Sequence, residues 1–165
     1  MIWGPPGIGK STTARALAAE AGYESEQVVH MDRLFLRGDR VDVPHSEALA
    51  ALSPTLQQPQ WVVEGNYGVA IDSIAPRADA VLFVTCNRWH SLWHVVKRQI
   101  FEPQGGADMP DGWRHELPGH FIRFILFTAP AMMQDHHDRF AASLPDSAIV
   151  TVPVGQMRKA VYPHL

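Results

Sequence analysis

The chain has 165 residues, a formal net charge of −3, and 46% hydrophobic against 19% charged residues. That length holds one compact domain with a core of its own, and no internal repeat or linker divides it. The balance lacks the basic excess of a nonspecific nucleic-acid binder, and the most apolar segment, Phe121 to Phe127, is interrupted by Arg123 and far too short to span a bilayer. A lone cysteine, Cys86, permits no internal disulfide, and no signal-peptide pattern opens the chain, so a reducing cytoplasm is the expected setting.

An apolar stub, Met1-Ile2-Trp3, leads into Gly4-Pro5-Pro6-Gly7-Ile8-Gly9-Lys10-Ser11, which fits the phosphate-binding pattern G-x-x-x-x-G-K-S/T. The spacing has a physical purpose. Gly4 and Gly9 bracket a loop tight enough to turn successive backbone N–H groups inward, and Gly7 lets that backbone approach phosphate oxygens. The chain then enters a helix at about Lys10, so free amides and the positive end of the helix dipole face one anion. Gly4 through Ser11, with Thr12 behind them, are therefore the expected nucleotide-phosphate-binding residues. Lys10 bridges the outer phosphates in this reading, and Ser11 offers its hydroxyl to Mg²⁺. A stripe of Ala14, Leu17, Ala18 and Ala21 continues the helix, and Gly22 ends it.

Val28-Val29-His30 is a short strand, followed by Asp32 and a polar loop carrying Arg33, Arg37, Asp39, Arg40 and Asp42. Ser46 to Gln58 reads as helix, with Pro54 predicting a kink, or a break capped by Ser53. Trp61-Val62-Val63 is a buried strand ending in Glu64-Gly65-Asn66, and Ala80 to Cys86 is a continuous apolar run of the kind found in parallel sheets covered on both faces. Arg88 to Phe101 is helical, with Leu92, Val95, Val96 and Ile100 on one side. The segment from about 102 to 118 reads as a long loop, of a length that is often a functional lid. A helix over Phe121 to Ala141 is divided by Pro130, and Ala148 to Val152 is a last strand that turns through Pro153-Val154-Gly155 into a short closing helix. Strands alternating with helices predict a three-layer α/β sandwich around a parallel sheet.

Ligands of open parallel sheets bind beyond the carboxyl ends of the strands. Asp32, Glu64 and Arg88 each follow a strand there. Glu64 is the expected Mg²⁺ carboxylate, acting through water together with Ser11. Asp32 either orients an acceptor hydroxyl as a base or caps its own turn. Arg88, Lys97, Arg98, Arg114 and Arg123 form a cationic set around the lid, and Arg88 and Arg98 are expected to neutralise a transferring phosphoryl group. The histidine pairs His90/His94 and His136/His137 read as packing or surface residues rather than a zinc site. Trp61 and Trp93 read as core, whereas Trp89 and Trp113 are candidates to line the cleft.

The P-loop, His30-Met31-Asp32-Arg33-Leu34-Phe35, Trp61-Val62-Val63-Glu64-Gly65-Asn66-Tyr67, Asn87-Arg88-Trp89, Lys97-Arg98 and Asp108-Met109-Pro110 together resemble the adenylate-kinase-like P-loop proteins often labelled "DNA topology modulation protein" (FlaR-like). The resemblance implies a nucleoside-monophosphate-kinase-like fold with strand order 2-3-1-4-5, a lid and a small acceptor-binding region, in one domain spanning residues 1–165. It implies ATP as donor, a small phosphoryl acceptor facing Asp32, Asn66, Tyr67 and Arg88, and Gly155 passing near the adenine. Two positions depart from the family: Glu64 stands where an aspartate is common, and His94 where related kinases place an arginine. The expected activity is therefore Mg²⁺-dependent transfer of a phosphoryl group from ATP to a nucleotide or small hydroxylated acceptor, by a cytoplasmic protein, monomeric by preference. A GTPase switch is disfavoured because no Asn-Lys-x-Asp element is present. A DNA-topology-related regulator is disfavoured by the acidic balance. A nucleotide-binding protein without turnover is the remaining alternative.

Overall fold

The computed structural model describes residues 1–38, 42–101, 108–113 and 116–161. Its five strands are β1 (Ile2–Trp3), β2 (Val28–His30), β3 (Val62–Gly65), β4 (Val81–Thr85) and β5 (Ile149–Pro153). All adjacent pairs run parallel, in the order β2-β3-β1-β4-β5. Although β1 has only two residues, it is the central strand, with Ile2 beside both Glu64 of β3 and Leu82 of β4.

Alternation along the strands divides the core in two. Trp3, Val63, Val81 and Phe83 point to one face, and Ile2, Val62, Leu82 and Val84 to the other. The first face is covered by α2 (Met31–Phe35), α3 (His45–Leu56), α4 (Ile71–Ile74) and α7 (Ala129–Ser143), through Phe35, Leu52, Ile74 and Phe140. The second is covered by α1 (Lys10–Ala21) and α8 (Met157–Val161), through Ala14 and Met157. Burial on both faces explains why β4 reads as an unbroken apolar run.

Several elements differ from expectation. Met31–Phe35 forms a helical turn instead of loop, which places Asp32 in its first turn. Residues 45–56 form one helix with Pro54 inside its last turn, so the break capped by Ser53 does not occur. The divided helix is α6 (Gly119–Arg123), a π-helical turn (Phe124–Thr128) and then α7. Its irregularity lies just before Pro130, because proline has no N–H to offer the Leu126 carbonyl four residues back. Trp93 is not core. On α5 (Arg88–Phe101) the buried side chain is Ser91, and Trp93 lies 63% exposed on the other side. Trp61 does pack, half-buried, against the first core. Among the described residues, no helix is long and apolar enough to cross a membrane.

Candidate functional site

The P-loop turns from β1 into α1 through two left-handed glycines, Gly7 (φ 77°) and Gly9 (φ 86°). Gly9 is the N-cap of α1 and brings no side chain to the cap. Among the described residues, no acceptor meets the main-chain N–H groups from Gly7 to Thr12, whereas the Thr13 amide is bonded to the Gly9 carbonyl. A run of unpaired amides at the positive end of a helix is an anion seat. Lys10 belongs to the same seat, its Nζ folded back onto the Pro5 carbonyl at 2.9 Å. The back of the loop is fixed from α5, where the buried Ser91 hydroxyl donates to the Pro6 carbonyl at 2.6 Å.

A cleft of about 690 Å³ opens over this loop. Pro6, Gly7, Gly9, Lys10, Ser11 and Thr12 form one wall. Gly4, Pro5 and Ile8 lie behind it, and Ile8 is buried in the second core. The floor is Glu64, at the end of β3 and only 3% exposed. Its Oε1 accepts the Ser11 hydroxyl at 2.8 Å and meets His30 Nδ1 at 2.9 Å. The adjacent strands put His30 level with Glu64, so this contact follows from register. Ser11 and Glu64 thus stand together beside the free amides, as hard oxygen donors that fit a Mg²⁺ ion held partly through water. Among the described residues, no group of three metal-ligating side chains occurs.

Asp32, Asn66 and Tyr67 also line the cleft. Tyr67 donates its hydroxyl to Asp32 Oδ1 at 2.8 Å, and its ring stacks on Phe35 with centroids 4.2 Å apart. Burial raises the Asp32 carboxyl above the usual range, and the negative charge of Glu64 adds to this, against opposing pulls from Lys10 and the Tyr67 hydroxyl. The Tyr67 phenol is itself held well above its ordinary value, by burial first and then by Asp32.

The cationic set is split. Lys97 and Arg98 line the cleft, whereas Arg123 does not and is exposed. Arg114 lies outside the described residues, as do 102–107 of the expected lid. Arg88 is elsewhere. It lines a second cavity of about 320 Å³, between the ends of β4 and β5 and α7, and its Nη1 donates to the Leu126 carbonyl at 3.2 Å. That carbonyl is the one Pro130 cannot serve. Gly155 is exposed in the turn after β5 and does not line the cleft, though Met157, two residues on, approaches Gly9. His94 lines the cleft and stacks on His90 at 4.4 Å, while Trp113 is in the lining and Trp89 is not.

Two cleft residues were missed in the sequence. Arg15 is one helical turn beyond Ser11, a spacing that puts both on one face of α1. Asp108 carries no local signal of its role. Only 5% exposed, it pairs with Arg98 at 2.9 Å and with Arg15 at 3.7 Å. Burial works to raise its carboxyl pKa, but Arg98 chiefly, then its own amide and the Ser11 hydroxyl, leave it lowered.

With a parallel β2-β3-β1-β4-β5 sheet, a glycine-rich loop opening α1 and a carboxylate at the end of β3, the architecture is decided. This is a P-loop nucleoside-triphosphate-binding fold. In agreement, residues 1–51 match the family model described as "ATPase family associated with various cellular activities (AAA)". That stretch runs from β1 through the P-loop, α1, β2 and α2 into α3. No curated protein matches the chain. The P-loop domain is the part that the match supports, and the rest of the cleft is built by segments beyond it.

Proposed function

We propose that the protein is an adenylate-kinase-like, FlaR-like phosphotransferase that passes the γ-phosphoryl group of ATP to a nucleotide or a small hydroxylated acceptor. The observation that carries this reading is Asp32. It is a carboxyl of raised basicity, oriented by Tyr67, in the same cleft as the P-loop. A phosphate seat alone serves binding. A base lining the same cleft serves transfer to a hydroxyl.

The free amides and Lys10 hold the triphosphate, and Ser11 and Glu64 hold the metal. When bound, Mg²⁺ draws charge from the outer phosphate oxygens and so eases departure of the leaving group. Asp32 takes the proton of the acceptor hydroxyl, while Asn66 and Tyr67 orient that acceptor. Arg98 and Arg15 offset charge on the transferring group, and Lys97 adds positive potential at the rim. Arg88 has no part in this set. A cleft of about 690 Å³ accommodates a nucleotide together with a small acceptor.

The match to an ATPase family favours one second reading, in which water is the acceptor and Asp32 orients it. ADP release from Mg·ATP distinguishes the two when measured alone and then with nucleoside monophosphates and small alcohols. Stimulation by one acceptor, with stoichiometric phosphorylated product, is the outcome expected for a kinase. Release indifferent to every acceptor assigns hydrolysis. Equal release by wild type and a folded Lys10→Ala variant overturns both.

A further inference from the structure

Asp108 sits where the cleft's positive charge converges. Its two carboxylate oxygens are divided between two helices: Oδ2 takes Nη2 of Arg98, from α5, at 2.9 Å, and Oδ1 faces Nη1 of Arg15, from α1, at 3.7 Å. Ser11, the second residue of α1, is also in reach of the carboxylate. An oxyanion is therefore shared by two guanidinium groups, near the Ser11 hydroxyl and beside a helix N-terminus with unpaired amides. Those are the partners that an outer phosphate of a nucleotide requires, and arginine serves carboxylate and phosphate with the same fork of donors. The carboxylate is almost wholly buried, whereas the Arg98 and Arg15 side chains that meet it keep one side open to solvent.

We propose that Asp108 is an internal substitute for a nucleotide phosphate, holding Arg98 and Arg15 until a polyphosphate displaces it. The inference rests on the reading that the cleft binds a nucleoside triphosphate. It goes beyond that reading by assigning the chain its own competitor for the site. Two consequences follow. The arginines stay positioned instead of extending into solvent, and binding energy from the phosphates is spent in part on removing the aspartate. A single anion such as orthophosphate displaces it poorly, whereas a polyphosphate gripped also by the P-loop amides displaces it well. Asp108 thereby sets a threshold that favours triphosphate over lesser anions.

The sign of one effect separates this role from its rivals. A metal-holding or merely structural Asp108 makes its removal weaken binding. A competing Asp108 makes its removal strengthen it. Calorimetry on the full chain compares wild type with Asp108→Asn and Asp108→Ser, either of which suffices if it melts cooperatively, using Mg·ATP and, separately, inorganic pyrophosphate. The expected result is tighter binding of both probes by about 10- to 100-fold, the size of a charge-assisted hydrogen bond released from competition. That gain is lost when Arg98→Ala is added, because the two residues act as one unit. Unchanged or weaker binding of both probes by the Asp108 variants overturns the proposal. Failure of wild type to bind Mg·ATP overturns the nucleotide reading alone, since the gain with pyrophosphate still reports on Asp108.

Discussion

Trp3 donates its indole N–H to Nδ1 of His136 at 3.2 Å, tying the strand that feeds the P-loop to α7. The pair is buried, with rings edge to face at 5.4 Å. Accepting at Nδ1 requires a neutral imidazole carrying its proton on Nε2. Burial chiefly lowers the His136 pKa; Arg139 adds to this and Asp135 opposes it. A histidine whose folded pKa lies below its unfolded value binds fewer protons in the native state. Its contribution is intact above the unfolded pKa of about 6.5 and is lost as pH falls below that toward the folded value. The expected outcome is a melting temperature that declines from pH 7 to pH 5, with a flatter decline in His136→Gln, whose amide oxygen still accepts from Trp3. An identical acid slope in both proteins removes His136 as the cause.

Gly7 makes a second prediction, because it is where the loop touches α5. At its φ of 77° a β-carbon is strained, and one built there lies 2.9 Å from both the Ser91 carbonyl oxygen and Val95 Cγ2. Neither neighbour yields easily, since Ser91 is pinned to the Pro6 carbonyl. Gly7→Ala is expected to cost about 1–3 kcal/mol and to displace the amides from their common focus. Thermal melts and Mg·ATP calorimetry check this together. The expected variant is folded, modestly destabilised and without measurable nucleotide affinity. Wild-type affinity in that variant contradicts the amide seat.

What was legible in the sequence was what local chemistry dictates. Gly4 to Ser11 is readable because phosphate geometry fixes both spacing and residue type. β4 is readable because burial on both faces leaves no polar position from Val81 to Val84. The sides of α5 were not readable. Leu92 and Val95 are half-buried while Trp89 and Trp93 are exposed, so a helix apolar on two flanks does not reveal which one faces the protein. Neither was Asp108, whose partners come from two separate helices, nor the destination of Arg88, whose acceptor exists because of a proline far along the chain. Arg15 had a usable signal in its spacing from Ser11, the i, i+4 separation that puts both on one face of α1.

Asp32 carries a third prediction, in which stability and activity move in opposite directions. Its folded pKa is raised by burial and then by Glu64, so between the unfolded and folded values the native state holds a proton that the unfolded chain has released. Stability therefore falls as pH rises from the unfolded value, about 3.9, through the folded one, and the penalty is complete above both. Asp32→Asn keeps an oxygen for the Tyr67 hydroxyl and removes the charge. It is expected to melt higher than wild type at pH 7, to lose that advantage near pH 3, and to reduce phosphoryl transfer by about 100-fold or more through loss of the base. Parallel melts and turnover assays decide it. A variant with wild-type turnover leaves Asp32 as the hydrogen-bond partner of Tyr67 only.

Arg88 supplies the last prediction, which separates a role in the chemistry from a role in the fold. Its guanidinium donates to the Leu126 carbonyl, the acceptor that Pro130 leaves without its usual intrahelical partner, at the π-helical turn before α7. A buried or half-buried carbonyl without a donor is costly, and a charged donor from a neighbouring helix relieves it. Arg88→Met is therefore expected to lose about 0.5–1.5 kcal/mol of stability with little change in Mg·ATP turnover. In a Pro130→Ala background, where residue 130 regains an N–H, the same substitution costs much less, and the difference between backgrounds is the coupling energy of the pair. Denaturant unfolding of the four proteins measures it. If Arg88→Met instead leaves unfolding untouched and cuts turnover by about 100-fold, the guanidinium reaches the transferring phosphoryl during the reaction and the capping account is wrong.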